Sequence, residues 1–210
     1  MKLMLIDEGM DLITNLKQLF SQSPYEYIHY KELKKGLNNL IEVSPDILLF
    51  NEENFLAQGD SIRELLKSSE MQKKNLIIFF ANTYENKKKG DFYFINSNIK
   101  NSDTINYLNK VIAQNSLGSD DTIQFIITHP VSKIFIFGRV ESIDENYITI
   151  IPDFPDSAAS IVEGTQIQCC TLKTKRNFFT FSSTLFENQT TMKFEIDKKL
   201  GRRLLKEVEN

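Results

Sequence analysis

Short apolar runs that stop on a polar residue constrain this chain more than any other feature. Residues 2–6, 25–30, 47–50, 76–80 and 92–95 are strand-length runs rich in Leu, Ile, Phe and Tyr. Between them lie stripes at helical spacing: Leu12, Ile13, Leu16, Leu19 and Phe20 over residues 11–20; Leu33, Leu37, Leu40 and Ile41 over 31–43; Ile62, Leu65 and Leu66 over 61–70. A further helix is predicted over 103–114, with Ser102 or Asp103 as its cap. Gly36 weakens the second stripe. Strands separated by helices imply right-handed crossovers and a parallel sheet. The middle strands are continuous apolar runs, as expected when both sheet faces are covered. In such sheets ligands bind beyond the carboxyl ends of the strands, where Asp7, Glu8 and Asn51 are expected to converge.

Beyond residue 115 the pattern changes. Residues 116–121, Ser-Leu-Gly-Ser-Asp-Asp, have linker composition. Residues 123–128, 133–143, 147–151, 165–172, 177–185 and 191–196 then read as strands, with turns at 144–146 and 173–176 and a break at 152–156. This is the pattern of an antiparallel barrel or sandwich. Residues 198–209 close the chain as a helix, with Leu200, Leu204, Leu205 and Val208 on one side. The expected division is 1–115 as an α/β domain, 116–121 as linker and 122–210 as a β domain.

The first domain resembles the receiver domain of bacterial response regulators. The carrying residues are Leu3-Met4-Leu5-Ile6 followed by Asp7-Glu8, and Ser44-Pro45-Asp46-Ile47-Leu48-Leu49-Phe50-Asn51. The resemblance implies a flavodoxin-like α/β fold, with an acidic pair after the first strand and a phosphoacceptor Asp at the end of the third. Here that position holds Asn51, and a carboxamide cannot form an acyl phosphate. The family's Thr or Ser after strand four falls on Phe80, and its Lys after strand five falls near Asn96. Magnesium, which the family binds through oxygen ligands, is left with Asp7 and Glu8 as its weak candidates. Between Asn82 and Asp91, where a receiver places its fourth helix, there is only a short polar and basic stretch, for which a loop or one turn is expected. The implication is a pseudo-receiver. Phosphorylation on Glu52 or Glu53 is a rival to it.

The second domain resembles, on fewer residues, a PilZ-type barrel: residues 138–143 (Gly-Arg-Val-Glu-Ser-Ile), 163–168 (Glu-Gly-Thr-Gln-Ile-Gln), the strand from Phe178 and the final helix. An Sm-like or other small barrel fits the same strand pattern. Cyclic di-GMP-binding PilZ domains carry an Arg-x-x-x-Arg segment before the barrel and an Asp/Asn-x-Ser-x-x-Gly motif within it. Residues 114–121 contain no arginine, and residues 141–146 read Glu-Ser-Ile-Asp-Glu-Asn, acidic and without the glycine. Arginine clamps phosphate bidentately in a way lysine does not, so the usual dinucleotide site is missing.

The remaining polar features are weaker. Lys87-Lys88-Lys89, the hairpin cations Lys173, Lys175 and Arg176, and Lys198, Lys199, Arg202, Arg203 and Lys206 on the last helix read first as solvated faces. Arg202 and Arg203 are candidates for recognising an acidic protein partner; Arg139, Lys175 and Arg176 are candidates for a phosphate ligand. His29 and His129 stand apart from any ligand cluster and read as structural. Cys169 and Cys170 are adjacent, a poor disulfide pair without zinc spacing, expected as one buried and one exposed strand position. Phe135 with Phe137, and Phe179 with Phe181, each share a strand face that suits a barrel interior. A net charge of −3 spread over both halves argues against a general nucleic-acid binder. No apolar stretch reaches the roughly 20 residues of a membrane span, and Asp7 comes too soon for a signal peptide core, so the expected location is cytoplasmic.

These observations lead to the expectation of a non-enzymatic signalling adaptor without a cofactor. It would act through protein–protein binding, independent of phosphorylation, in bacterial motility or surface-attachment signalling. The rivals are a cyclic di-GMP-responsive effector and a DNA-binding atypical response regulator.

Overall fold

A computed structural model describes residues 2–52, 76–82, 85–89, 92–115, 124–174 and 177–208. The predicted helix over 61–70, the linker 116–121, Glu53, Lys175 and Arg176 lie outside the described residues. The chain forms two compact units, Met1–Gln18 with Tyr25–Leu108, and Leu19–Pro24 with Asn109–Asn210.

Up to residue 115 the elements run β1 (Lys2–Ile6), α1 (Met10–Leu19), β2 (Glu26–Tyr30), α2 (Leu33–Val43), β3 (Ile47–Asn51), β4 (Leu76–Ala81), β5 (Lys87–Lys89), β6 (Phe92–Asn96) and α3 (Ser102–Asn115), the last of which passes from the first unit to the second at Asn109. The sheet order is β2-β1-β3-β4-β6-β5. Every neighbouring pair is parallel except β5 with β6. Leaving β5 aside, this is the doubly wound 2-1-3-4-5 order. Its core follows from strand alternation. Met4, Ile6, Leu48, Phe50, Ile77 and Phe79 form one apolar face, which Leu33 and Leu40 of α2 join. Phe79 stacks on Phe50 at 5.6 Å and on Phe94 at 5.3 Å. Gly36 has a packing role, because a Cβ there would lie 2.5 Å from Ile6 Cδ1.

The Ser44-Pro45-Asp46 segment both ends α2 and sets a register. Ser44 is left-handed at φ 46°, with its N–H on Leu40 O, and the following proline cannot continue a helix. Asp46 donates its N–H to Lys2 O at 2.9 Å, and its carboxylate accepts the Lys2 N–H at 2.7 Å. One residue thereby locks the start of β3 against the start of β1.

One expectation changes here. The polar stretch read as a loop contains β5, whose lysines pair antiparallel with Phe92–Phe94 of β6. Backbone pairing overrides weak strand propensity, and Lys88 lies 5.0 Å above the Tyr93 ring.

The second unit is a closed six-stranded antiparallel barrel followed by a C-terminal helix, as the strand spacing predicts. Its elements are β7 (Gln124–Thr128), β8 (Phe135–Ile143), β9 (Tyr147–Pro152), α4 (Pro155–Ala159), β10 (Gln166–Lys173), β11 (Phe178–Asn188), β12 (Met192–Glu195) and α5 (Lys198–Val208). Around the barrel the order is β10-β11-β12-β9-β8-β7, closed by β7 on β10. The interior holds Phe125, Ile127, Ile136, Ile148, Ile150, Leu172, Phe179, Leu185, Met192 and Phe194, with Phe181 packed against it. Phe179 and Phe181 therefore face inward, but Phe135 and Phe137 do not. Ile136 takes the interior position, and Phe135 instead meets the edge of Phe20 of the same unit, 5.3 Å away.

Both cysteines are buried, which corrects the one-in, one-out expectation. Cys170 belongs to the barrel interior, and the β10 register shifts between Ile167 and Cys170. The break at 152–156 begins α4, with Pro155 in its first turn, where a missing N–H costs nothing. The Asn188 side chain donates to Ala158 O at 2.8 Å and Ile161 O at 2.7 Å, holding α4 on the barrel. The last helix joins the core through Leu204. It lies so close to the β8–β9 turn that a Cβ at Gly201 would sit 2.2 Å from Glu145 O.

Candidate functional site

Parallel alignment of β1, β3, β4 and β6 gathers the predicted acidic pocket at their carboxyl ends. In register, Ile6 pairs with Phe50, Asn51 with Phe80, and Ala81 with Asn96. Asp7 follows β1 and is 1% exposed, whereas Glu8 is exposed. The Asn51 side-chain amide donates to Asp7 Oδ1 at 3.0 Å. Asp7 N–H donates to Tyr30 O at 3.1 Å, and His29 Nε2 lies 2.9 Å from Asp7 O. His29 is thus a loop anchor, as its isolation in sequence implies. Asp7 Oδ2 has no hydrogen-bond partner among the described residues. A Cβ on Gly9 would lie 3.1 Å from it. Burial, and then the nearby Asp7 charge, push the Tyr27 phenol well above its ordinary range.

The other two pocket positions are filled by groups without acid–base capacity. Phe80 is fully buried. Asn96 donates its N–H to Asn86 Oδ1 at 2.9 Å and accepts the Asn98 N–H on Oδ1 at 2.8 Å. The Asn96 carboxamide is thus built into the loops. Magnesium does not fit these residues well. The pocket offers one buried carboxylate and one exposed one, and Asn51 turns its donor nitrogen, not an acceptor oxygen, toward Asp7. Among the described residues no group of three or more His, Cys, Asp or Glu is placed to hold a metal ion.

The barrel candidates do not converge. Arg139 is exposed on β8, opposite Gln124 and Ile151. Burial raises the Asp153 carboxyl, and the Arg139 charge opposes that shift. Arg202 donates to Glu145 Oε1 at 3.2 Å, and Lys198 pairs with Glu145 Oε2 at 3.1 Å. The Lys198 bond first and the Arg202 bond second hold the Glu145 carboxyl below its ordinary value. Arg203 points elsewhere: its guanidinium carbon lies 5.0 Å above the Phe179 ring.

Two features go beyond the sequence reading: the contacts of His129, which that reading takes as structural, and a groove it does not announce. His129 is buried, and its Nδ1 accepts the N–H groups of Val131 at 3.2 Å and Ser132 at 3.0 Å. The ring therefore carries its proton on Nε2 and donates it to Ser160 Oγ at 2.9 Å, while Ser160 donates onward to Ser157 O at 2.8 Å. This serine–histidine contact runs opposite to a nucleophile–base pair: the histidine gives a proton and cannot take one. Its work is to cap the 130–132 turn and tie it to α4. The second feature is a polar groove of about 390 Å³ on the barrel wall. Ser182, Ser183 and Thr184 of β11 lie between Gln166 and Gln168 on one side and Glu195 and Asp197 on the other. Such a concavity arises from short side chains flanked by long ones on three strands, which no local motif announces.

Comparison with known proteins matches the same two-part organisation. Residues 1–97 match the family model TP_0454_N, an N-terminal domain, and residues 122–204 match TP_0454_C, a C-terminal domain. An uncharacterized protein of Treponema pallidum (strain Nichols) is similar to this chain at 24% identity over 188 residues, covering 82% of each.

Proposed function

We propose that this chain is a non-enzymatic signalling adaptor that works by protein–protein binding and independently of phosphorylation. The observation that carries this reading is the hydrogen bond from Asn51 to Asp7 Oδ1. An amide occupies the place a phosphoacceptor would need, and it is bound to the carboxylate that would otherwise serve the chemistry. Phe80 and Asn96 extend the same loss to the neighbouring positions. In the barrel, Arg139 is exposed on β8 with its charge acting on Asp153, and Arg202 is paired with Glu145. A fold whose chemical groups have been replaced keeps its surfaces, and binding is what those surfaces can do. Among the described residues no helix is long and apolar enough to cross a membrane.

The test is affinity purification of the full chain from its native lysate, before and after treatment with acetyl phosphate. The expected result is a stoichiometric protein partner retained equally in both. Recovery of a cyclic dinucleotide or nucleic acid with no protein partner overturns the reading.

A further inference from the structure

Two bulges shape one side of the barrel wall. Between β10 and β11 the register steps from Ile167–Ser183 to Cys170–Phe181, so Gln168 and Cys169 together oppose the single residue Ser182. Between β11 and β12 it steps from Leu185–Phe194 to Glu187–Lys193, which leaves Phe186 as the extra residue. A bulge interrupts the ladder and re-aims the side chains around it. The first one lies at the polar groove of about 390 Å³, which Gln168 and Ser182 line. Beside it Gln166, Thr184 and Glu195, also lining residues, stand in register across three strands, a span of roughly 10 Å.

The second bulge bears on the groove's charge. Lys193 and Glu195 are two apart on β12 and share the face opposite the interior residues Met192 and Phe194. Lys193 is nevertheless taken by aromatic rings: its Nζ lies 4.6 Å from the Tyr147 centroid and 5.5 Å from that of the bulged Phe186. Glu195 is exposed, and among the described residues its carboxylate has no ion pair. Asp197, the other acidic lining residue, has work in the fold. Its Oδ1 accepts the N–H groups of Lys199 at 2.9 Å and Leu200 at 3.3 Å, at the start of α5, where negative charge suits the helix dipole. No lysine or arginine lines the groove.

We infer that this groove docks an arginine-bearing segment of a protein partner, with the Glu195 carboxylate as the acceptor for the guanidinium. This inference rests on the adaptor reading and names the chemistry of the partner. Charge complementarity selects a cationic occupant. A phosphate, a nucleotide or a nucleic acid would meet two carboxylates with no lining cation to offset them. Among cations the lining selects guanidinium. The side-chain oxygens of Gln166, Gln168, Ser182 and Thr184 are acceptors spread over two strands beside Glu195. A planar fork with five N–H groups can bond the carboxylate bidentately and reach such neighbours at once, whereas a compact ammonium acts as a point charge.

Fluorescence anisotropy of a labelled hexa-arginine peptide with the full chain at low ionic strength tests this. Wild type is expected to bind, with affinity falling as salt rises, and to bind hexalysine more weakly. Glu195→Gln keeps the size of the side chain and removes its charge; it is expected to bind hexa-arginine about tenfold more weakly. Ser182→Lys sets a cation in the groove from an exposed position and is expected to weaken binding at least as much, so the result does not hang on one variant. Glu141→Gln removes an exposed carboxylate of β8 that does not line the groove and is expected to bind as wild type does. No binding by wild type, undiminished binding by either groove variant, or hexalysine bound as tightly overturns the assignment. So does an equal loss with Glu141→Gln, which marks attraction to the overall charge of −3 alone. If the peptide fails while the full chain still retains a protein partner from lysate, the groove is wrong and the adaptor reading stands.

Discussion

Asn51 and Asp7, at the carboxyl ends of neighbouring strands, share a hydrogen bond of 3.0 Å in which the carboxamide is the donor. The bond neutralises nothing, yet it satisfies one oxygen of a carboxylate that is 1% exposed.

Asn51→Asp removes that donor and sets a second carboxylate against Asp7 Oδ1. Like charges this close raise a folded-state carboxyl pKa above its unfolded value. The penalty is therefore absent at low pH, where the shared proton is held, and develops as pH rises through the unfolded carboxyl range of about 4. The expected loss is about 1–3 kcal/mol at pH 7, shrinking towards pH 4, measured by urea unfolding across that window.

Wild-type protein incubated with acetyl phosphate and magnesium is expected to show no added phosphoryl mass by intact mass spectrometry. Asn51→Asp is expected to show little, because Phe80 and Asn96 supply neither the hydroxyl nor the cation that would support transfer.

His129 makes the barrel sensitive to acid. Burial first, and the Lys133 charge second, lower its pKa below the ordinary 6.5. The unfolded ring then binds protons more readily than the folded one. The stabilisation is complete above about pH 6.5 and declines as pH falls towards the folded value. A protonated Nδ1 also loses the Val131 and Ser132 N–H bonds. His129→Ala is expected to cost about 1–3 kcal/mol at pH 7.5 and to flatten the pH dependence of the melting temperature between pH 7 and 5.

Two helical glycines are expected to respond differently to alanine. At Gly201 the new Cβ meets backbone, Glu145 O at 2.2 Å and C at 2.6 Å, and α5 must shift as a body. At Gly36 the nearest atoms are the Cδ1 and Cγ1 ends of the Ile6 side chain, which can rotate. Gly201→Ala is expected to lose about 1–3 kcal/mol. Gly36→Ala is expected to lose less, since its clash is with a side chain rather than backbone, while the helix propensity regained, about 1 kcal/mol, is common to both. Parallel thermal and chemical unfolding of the two variants gives the comparison.

Much of this fold is legible in the sequence because its signals are periodic. Leu12, Ile13, Leu16 and Leu19 announce α1, and Ile47–Phe50 announces a strand covered on both sides. What stays hidden depends on tertiary pairing. Three consecutive lysines carry no strand signal, and β5 exists because β6 offers it a backbone partner. Phe135 and Phe137 share a face as alternation requires, but which face of β8 looks inward is fixed by barrel closure, and Ile136 takes it. The meeting of Asp7 and Asn51 is legible because strand ends in a doubly wound sheet converge. The pairing of Arg202 with Glu145 is not legible, because the two lie more than fifty residues apart in the chain.

Barrel closure has a consequence for assembly. With β7 joined to β10, all six strands have neighbours on both sides, and no main-chain ladder is left for another polypeptide to extend. A partner that recognises the barrel must do so through side chains, with the sequence specificity that implies. In the first unit the two outermost strands are β2 and the three-lysine β5. Lysine-rich outermost strands discourage indiscriminate sheet stacking between copies. Among the described strands, β2 is the outermost one without that protection, and it is the strand on which β-augmentation is expected.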